Sequence, residues 1–251
     1  MDQALLLSFA ELEEVHWWFV ARRLIVMDTV RRWAPDGLAR IAEVGCGTGG
    51  TLRTLSAAFP SASVLGIDPN EQALALTRDR GSEAVLGRFE ELPLPDGWAD
   101  LLLGLDVIEH VRDDARALAE ARRALRPGGR LVLTVPALPR LWSPHDEINE
   151  HARRYRHLEL AQRIQQAGLR LERLTYFSTL LLPLGVVERA VVRRVGSAAS
   201  LALRMPPGPL NAALRTIFGL EVPVLRARDL PLGMSLLAVA TRPSDPGDDD
   251  V

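Results

Sequence analysis

From Arg40 onward, short apolar runs alternate with stretches whose apolar residues recur at helical spacing. The runs are Ile41-Ala42-Glu43-Val44, Ser63 to Ile67, Ala84-Val85-Leu86, Asp100 to Leu105 and Arg130 to Val135. Runs of this length separated by helical patterns predict βαβ units and a parallel sheet with helices on both faces. Helices are expected at about 50–58, 71–79 and 114–125, the last stopped by Arg126-Pro127-Gly128-Gly129. Ahead of the sheet, Leu5, Leu6, Phe9, Leu12, Val15, Trp18, Phe19, Leu24, Ile25, Met27 and Val30 suit amphipathic helices, closed by Pro35-Asp36-Gly37. Beyond it, two further strands are expected at 169–177 and 235–241, separated by an apolar, arginine-rich stretch. Within that stretch Pro206-Pro207-Gly208-Pro209 divides two helical pieces. The organisation expected is a helical cap over 1–36, an α/β domain from 37–177 and 232–242, a helical insertion over 178–231, and a disordered acidic tail over 243–251.

Composition narrows the functional classes. The 251 residues are 47% hydrophobic and 25% charged, enough for at least one sizeable core, and the net charge of -2 offers no basic field for nucleic acid. All 30 basic residues are arginine, which excludes a Schiff-base or P-loop lysine. Cys46 stands alone, so there is neither a disulfide framework nor a cysteine zinc site. Acidic residues in the first fourteen positions do not read as a secretory signal, and a cytoplasmic location is expected. The run Thr179 to Val187 falls short of the ~18–20 residues of a membrane span before Glu188 interrupts it, leaving peripheral membrane contact through 178–231.

The densest chemical signal is Glu43-Val44-Gly45-Cys46-Gly47-Thr48-Gly49-Gly50, where the first strand ends and a helix begins. Glycines there let the chain turn tightly and let a ligand approach main-chain N–H groups. Gly45, Gly47 and Gly50 also satisfy the dinucleotide spacing. Asp68, at the end of the second strand, can accept hydrogen bonds from both hydroxyls of a ribose, although Asp68-Pro69-Asn70 is also a good turn and helix cap. Glu43 would repel a pyrophosphate and suits a cationic amino group. A single adenosine carrying a positive group is the better fit.

With Leu92-Pro93-Leu94-Pro95-Asp96-Gly97, Trp98-Ala99-Asp100, Asp106-Val107-Ile108-Glu109-His110-Val111 and Leu125-Arg126-Pro127-Gly128-Gly129 in order, the segment from Arg40 to Pro136 resembles the class I S-adenosylmethionine-dependent methyltransferases. The resemblance implies a Rossmann-like seven-stranded sheet, mostly parallel, with an antiparallel last strand at 235–241. It implies that Glu43, Gly45, Cys46, Gly47 and Gly49 meet the methionine part of the cofactor. Asp68, with Pro69 beside it, holds the ribose, and Leu105 and Asp106 lie alongside. Where family members often carry an acidic and a small residue after the third strand, this chain has Arg88-Phe89; Phe89 stacks on the adenine or belongs to the core. His16-Trp17-Trp18 with Arg22 and Arg23 resembles a cap element in one subset of the family, in which Arg22 closes over the cofactor's carboxylate.

A sulfonium methyl is already activated, so the protein chiefly aligns the acceptor and excludes water, with a base where the acceptor is protonated. The candidate bases are His110, after the fourth strand, and His145 and His151, in a stretch after the fifth that resembles the D-E-x-x-x-H-x-R-R-Y of the same subset. Trp142, Arg154 and Tyr155 are candidate acceptor contacts, against the alternative of a salt-bridged helix start around Glu147 to Arg154. A metal at His145, Asp146 and His151 is conceivable from ligand type but not expected. The expected function is methylation of a small-molecule acceptor, most readily at oxygen, with a hydrophobic or lipid-linked acceptor suggested by 178–231. The alternatives are an NAD(P)-dependent oxidoreductase and a non-catalytic protein that binds a cofactor, a membrane or a partner.

Overall fold

The structure is a computed structural model that describes residues 10–195, with side chains through Ala190, and 205–244. Most of the expected acidic tail, residues 245–251, lies outside the described residues, as do 1–9. A helical segment over 10–15 leads into α1 (Trp17–Trp33). The sheet then alternates strands and helices: β1 (Arg40–Val44), α2 (Gly50–Ala58), β2 (Ser63–Asp68), α3 (Glu71–Asp79), β3 (Glu83–Leu86) and β4 (Ala99–Leu105). It continues through α4 (Asp114–Ala124), β5 (Leu125–Pro136), α5 (Pro144–Ile148), α6 (His157–Gln166) and β6 (Arg170–Phe177). Helices α7 (Leu182–Val195), α8 (Gly208–Gly219) and α9 (Glu221–Ala227) precede the final strand β7 (Ser235–Thr241). The expected two helical pieces between β6 and β7 are thus three helices among the described residues.

The sheet has seven strands in the order β3-β2-β1-β4-β5-β7-β6. Only β7 runs antiparallel, inserted between β5 and β6 with Val132 opposite Val239 and Leu174 opposite Ala238. Side-chain alternation sorts each strand between two cores. Along β4, Leu102 faces the core that holds Leu118 of α4 and Leu160 and Ile164 of α6, while Leu101 and Leu103 face the opposite one with Ile25 of α1, Leu52 of α2 and Phe218 of α8. Because β1, β4 and β5 are covered on both faces, they read as near-continuous apolar runs.

The junction before β5 differs from the expected turn. Arg126 to Gly129 lie within the strand, which pairs from Leu125 opposite Ala99 and shifts register before Leu101. Gly128 makes this bulge feasible at φ 74°, and a Cβ on Gly129 would stand 2.9 Å from the Ala99 carbonyl.

The amino-terminal helix and the insertion pack on each other over the carboxyl ends of the strands. Asn211 of α8 accepts from the Trp17 N–H at 2.8 Å and donates to the Val15 carbonyl at 2.8 Å. The ring of Trp17 meets Phe218 edge-on at 6.0 Å, and Phe218 stacks on Phe177 at the end of β6.

Candidate functional site

At the end of β1 the chain turns through Gly45 (φ 68°), Gly47 (φ 53°) and Gly49 (φ 83°), each in the left-handed region that a side chain disfavours. At Gly45 space is also decisive, since a Cβ there would fall 2.3 Å from Val107. The loop is held from outside: Thr77 donates to the Gly47 carbonyl at 2.8 Å, and Asp68 accepts the Gly47 N–H at 2.9 Å. The other oxygen of Asp68 accepts the Asn70 N–H at 2.9 Å. Each carboxylate oxygen has further lone pairs, so Asp68 can brace the loop and still accept from a ligand. Burial raises the Asp68 carboxyl above its usual range, opposed by these two N–H donors.

Glu43 is buried beneath the loop, and its Oε2 lacks a hydrogen-bond partner. Burial, the largest cause, pushes its carboxyl up to about 8, with Arg22 pulling the other way. An orphaned buried carboxyl facing a cavity calls for a cationic or donor group from a ligand. Above it, Arg22 of α1 reaches Asp106 at 2.7 Å and lies over the Trp18 ring at 5.0 Å. Thr134 of β5 links the pair, accepting from Arg22 at 3.3 Å and donating to Asp106 at 3.1 Å. Asp106 holds a left-handed φ of 55°, an uncommon conformation for a residue other than glycine. Cys46 is buried and its thiol is pushed up by desolvation, so it is no thiolate nucleophile.

A cavity of about 470 Å³ runs from this loop across the ends of β4 and β5. At its far end the rings of His110 and His151 meet edge to face at 4.8 Å, with His145 at 6.5 Å from His151. Asp146 organises the group, accepting from His151 Nδ1 at 3.0 Å, Arg154 Nε at 2.6 Å and the Ser143 N–H at 2.9 Å. These donors hold the Asp146 carboxyl well below its usual range despite burial. An ionised Asp146 can only accept, so it orients the His151 ring through Nδ1. Asn149 donates to His145 Nε2 at 3.1 Å, and burial followed by Arg189 lowers that imidazole to about 4, keeping it neutral. Burial followed by His151 lowers His110 as well. Between the two ends lies Glu109, fully buried, with neither carboxyl oxygen hydrogen-bonded. Desolvation and then Asp106 raise it well above the usual carboxyl range.

The cavity brings together most of the residues singled out from sequence. Glu43, Gly45, Cys46, Gly47, Asp68, Leu105, Asp106, Arg22, His110, His145, His151 and Arg154 all line it. Others fall elsewhere. Gly49 caps α2 from behind the loop, where a Cβ would meet Thr77 at 2.9 Å, and Pro69 is exposed. Phe89 is buried in the core under Gly104. Trp142 is half-buried with its indole N–H toward Glu147 at 3.4 Å. Tyr155 has no exposed surface, and its hydroxyl donates to Asp114 at 3.0 Å. Arg154 spends its guanidinium on Asp146 and on the Ala137 carbonyl at 3.0 Å. The Arg-Arg-Tyr run thus ties the loop to the sheet, with Arg153 paired to Asp114 at 2.8 Å.

Sequence reasoning assigned nothing to Glu13, Glu109, Arg189 or Met234, which also line the cavity. Glu109 had a signal, an acidic residue directly before His110 at a strand's carboxyl end. Glu13 accepts from Thr48 at 2.8 Å and Arg80 at 2.6 Å, a contact across distant segments that no local pattern carries.

Residues 42–133 match the family described as a methyltransferase domain. The chain is 46% identical over 100 residues to an uncharacterised 37.1 kDa protein in a transposon of Streptomyces fradiae, 38% of this chain and 29% of that one. It is 30% identical over 165 residues, 64% of this chain and 62% of the other, to a probable S-adenosylmethionine-dependent methyltransferase of Mycolicibacterium smegmatis. The chain therefore spans less than two thirds of the length of either relative. Among solved structures, the complex between the Haloferax volcanii Trm112 methyltransferase activator and a putative methyltransferase aligns with a TM-score of 0.64 at 18% identity, covering 97% of this chain and 96% of that one. That likeness establishes the fold.

Proposed function

We infer that this chain, which carries a class I S-adenosylmethionine-dependent methyltransferase domain, transfers a methyl group from that cofactor to an oxygen of a small-molecule acceptor. The observation that carries the reading is the continuous cavity joining the glycine loop and Asp68 to the histidine cluster. The residues fit the cofactor by their chemistry. Glu43 offers an orphaned buried carboxyl to a cationic amino group, and the positive-φ glycines keep side chains off the loop. Asp68 retains lone pairs for a ribose, and Arg22 stands at the cavity wall to meet a carboxylate. When bound, the cofactor supplies a methyl group already activated on a sulfonium.

The rest of the work falls to the chain. Trp17 and Trp18 on one side and Leu181, Leu184 and Met234 on the other wall the cavity and exclude water. This apolar wall supports a hydrophobic acceptor. Val186 and Val187, exposed on the outer turn of α7, support peripheral contact with a membrane that stores such an acceptor. Among the described residues no helix is long and apolar enough to cross a membrane. His110, His145 and His151 line the far end of the cavity, which supports a role for them in taking the proton of an acceptor hydroxyl. The dinucleotide alternative has less support, since a pyrophosphate would lie against Glu43 and the matching family is a methyltransferase domain.

Calorimetry with S-adenosylhomocysteine tests the cofactor site. Wild type should bind, and Asp68→Ala should bind at least about tenfold more weakly, the loss of one to two charge-assisted hydrogen bonds. No heat with wild type removes the reading. Unimpaired single-turnover methylation in all three of His110→Ala, His145→Ala and His151→Ala would remove the histidines from proton transfer.

A further inference from the structure

We propose that Glu109, His110 and His151 form a binding site for a divalent first-row transition-metal ion in the acceptor half of the cavity. The proposal deepens the reading that this half takes the acceptor, and gives the histidine pair its means of loosening the acceptor's proton.

One ligand atom from each of the three residues lies within 4.8 Å of the others. Metal–nitrogen and metal–oxygen bonds of about 2.0–2.2 Å place ligand atoms about 3 to 3.5 Å apart, so the set has only about 1–2 Å to close around an ion. Two histidines and one carboxylate on one side of an ion form the donor set that leaves positions open for oxygen ligands, and with no thiolate it suits zinc, iron or manganese.

Two independent features separate this group from a chance cluster. Glu109 is fully buried, and neither of its oxygens has a hydrogen-bond partner. A buried carboxylate left in that state is costly unless a cation or donor meets it. The histidine pair, in turn, is held in place by its surroundings. His151 Nδ1 lies 3.0 Å from Asp146 Oδ1, and Asp146 is itself clamped by Arg154 and Ser143, an outer contact of the kind that orients a metal-binding imidazole. The ring of His110 packs edge to face on that of His151 at 4.8 Å, which keeps the pair together at this end of the cavity.

The site lies in the acceptor half of the cavity, so the acceptor class it would select is one with an oxygen able to coordinate, such as a phenol or a pair of adjacent oxygens. A coordinated hydroxyl binds as its anion with its proton passed to water, and the anion is the nucleophile.

The test loads the metal-free full-length chain with Zn²⁺, removes excess by dialysis, and counts metal per chain by atomic emission. Wild type should retain about one equivalent. Glu109→Gln and His151→Ala should each weaken retention at least about tenfold while leaving S-adenosylhomocysteine affinity within about twofold, which certifies the fold and separates this proposal from the cofactor reading. His157→Ala, at a half-buried histidine stacked on Tyr176 away from the cavity, should change nothing. Co²⁺ gives a second readout in wild type alone, a visible ligand-field band of low-coordinate nitrogen and oxygen ligation. Failure of wild type to retain zinc, retention unchanged in both variants, or a cobalt spectrum of the hexa-aquo type overturns the site.

Discussion

Glu43 carries the sharpest consequence at the scale of single residues. Its folded carboxyl sits at about 8 against an ordinary 4.5, so between those values the folded chain holds a proton that the unfolded chain has lost. Stability contributed by that retained proton is complete below pH 4.5 and drains away up to about pH 8, a change on the order of 4–5 kcal/mol. Glu43→Gln has no such proton to lose. Urea unfolding of the cofactor-free protein should therefore show the variant gaining on wild type from pH 5 to pH 8, while calorimetry shows weaker cofactor binding. A pH-independent difference between the two would mean that the carboxyl is ionised throughout. The place of Glu43 at the cavity was legible in the sequence because it depends on position, two residues before a glycine turn at a strand's end. Tyr155 was not, because a tyrosine beside arginines reads equally as a substrate contact or a buried tie, and only the packing of α4 beneath it decides.

Among the elements, α9 depends on one buried side chain. Glu221 at its start accepts the backbone N–H of Ser178 at 2.7 Å and of Leu180 at 2.8 Å, fastening the turn after β6 where Ser178 holds φ 57°. Glu221→Ala leaves two donors without that partner inside the protein and should cost about 2–4 kcal/mol, read as a lower urea midpoint at unchanged slope. Elements that repeat a local rule were readable in advance. The helices at Gly50–Ala58 and Glu71–Asp79 begin where strand, glycine turn or Asn70 cap dictates. The start of β5 was not, since Arg-Pro-Gly-Gly ordinarily ends a helix and becomes a bulged strand here only through the neighbouring edge of β4. The split between α8 and α9 had a signal in Gly219 and Pro223 that the expected division at Pro206 to Pro209 overshadowed, and Glu221 secures the break by reaching back to the turn after β6.

Across the whole molecule, the amino-terminal helix and the insertion form one roof, joined by Asn211 and the Trp17–Phe218 contact and held to the sheet by Arg22 and by Phe218 stacked on Phe177. A ligand between roof and sheet should tie them together. S-adenosylhomocysteine is expected to slow amide hydrogen exchange in α1 as well as in the glycine loop, and to change the fluorescence of Trp17 and Trp18, which line the cavity. Exchange slowed in the loop alone would place the roof outside the binding event. The insertion of β7 between β5 and β6 bears on how such a molecule comes to be made. Its two neighbours have no common partner until residues 235–241 have been synthesised, so until then each presents an open backbone edge and the roof has no complete floor to rest on. Folding of this half must wait for residues 235–241, and a chain stalled before Ser235 would be a substrate for chaperones or proteases rather than a smaller folded version of the protein.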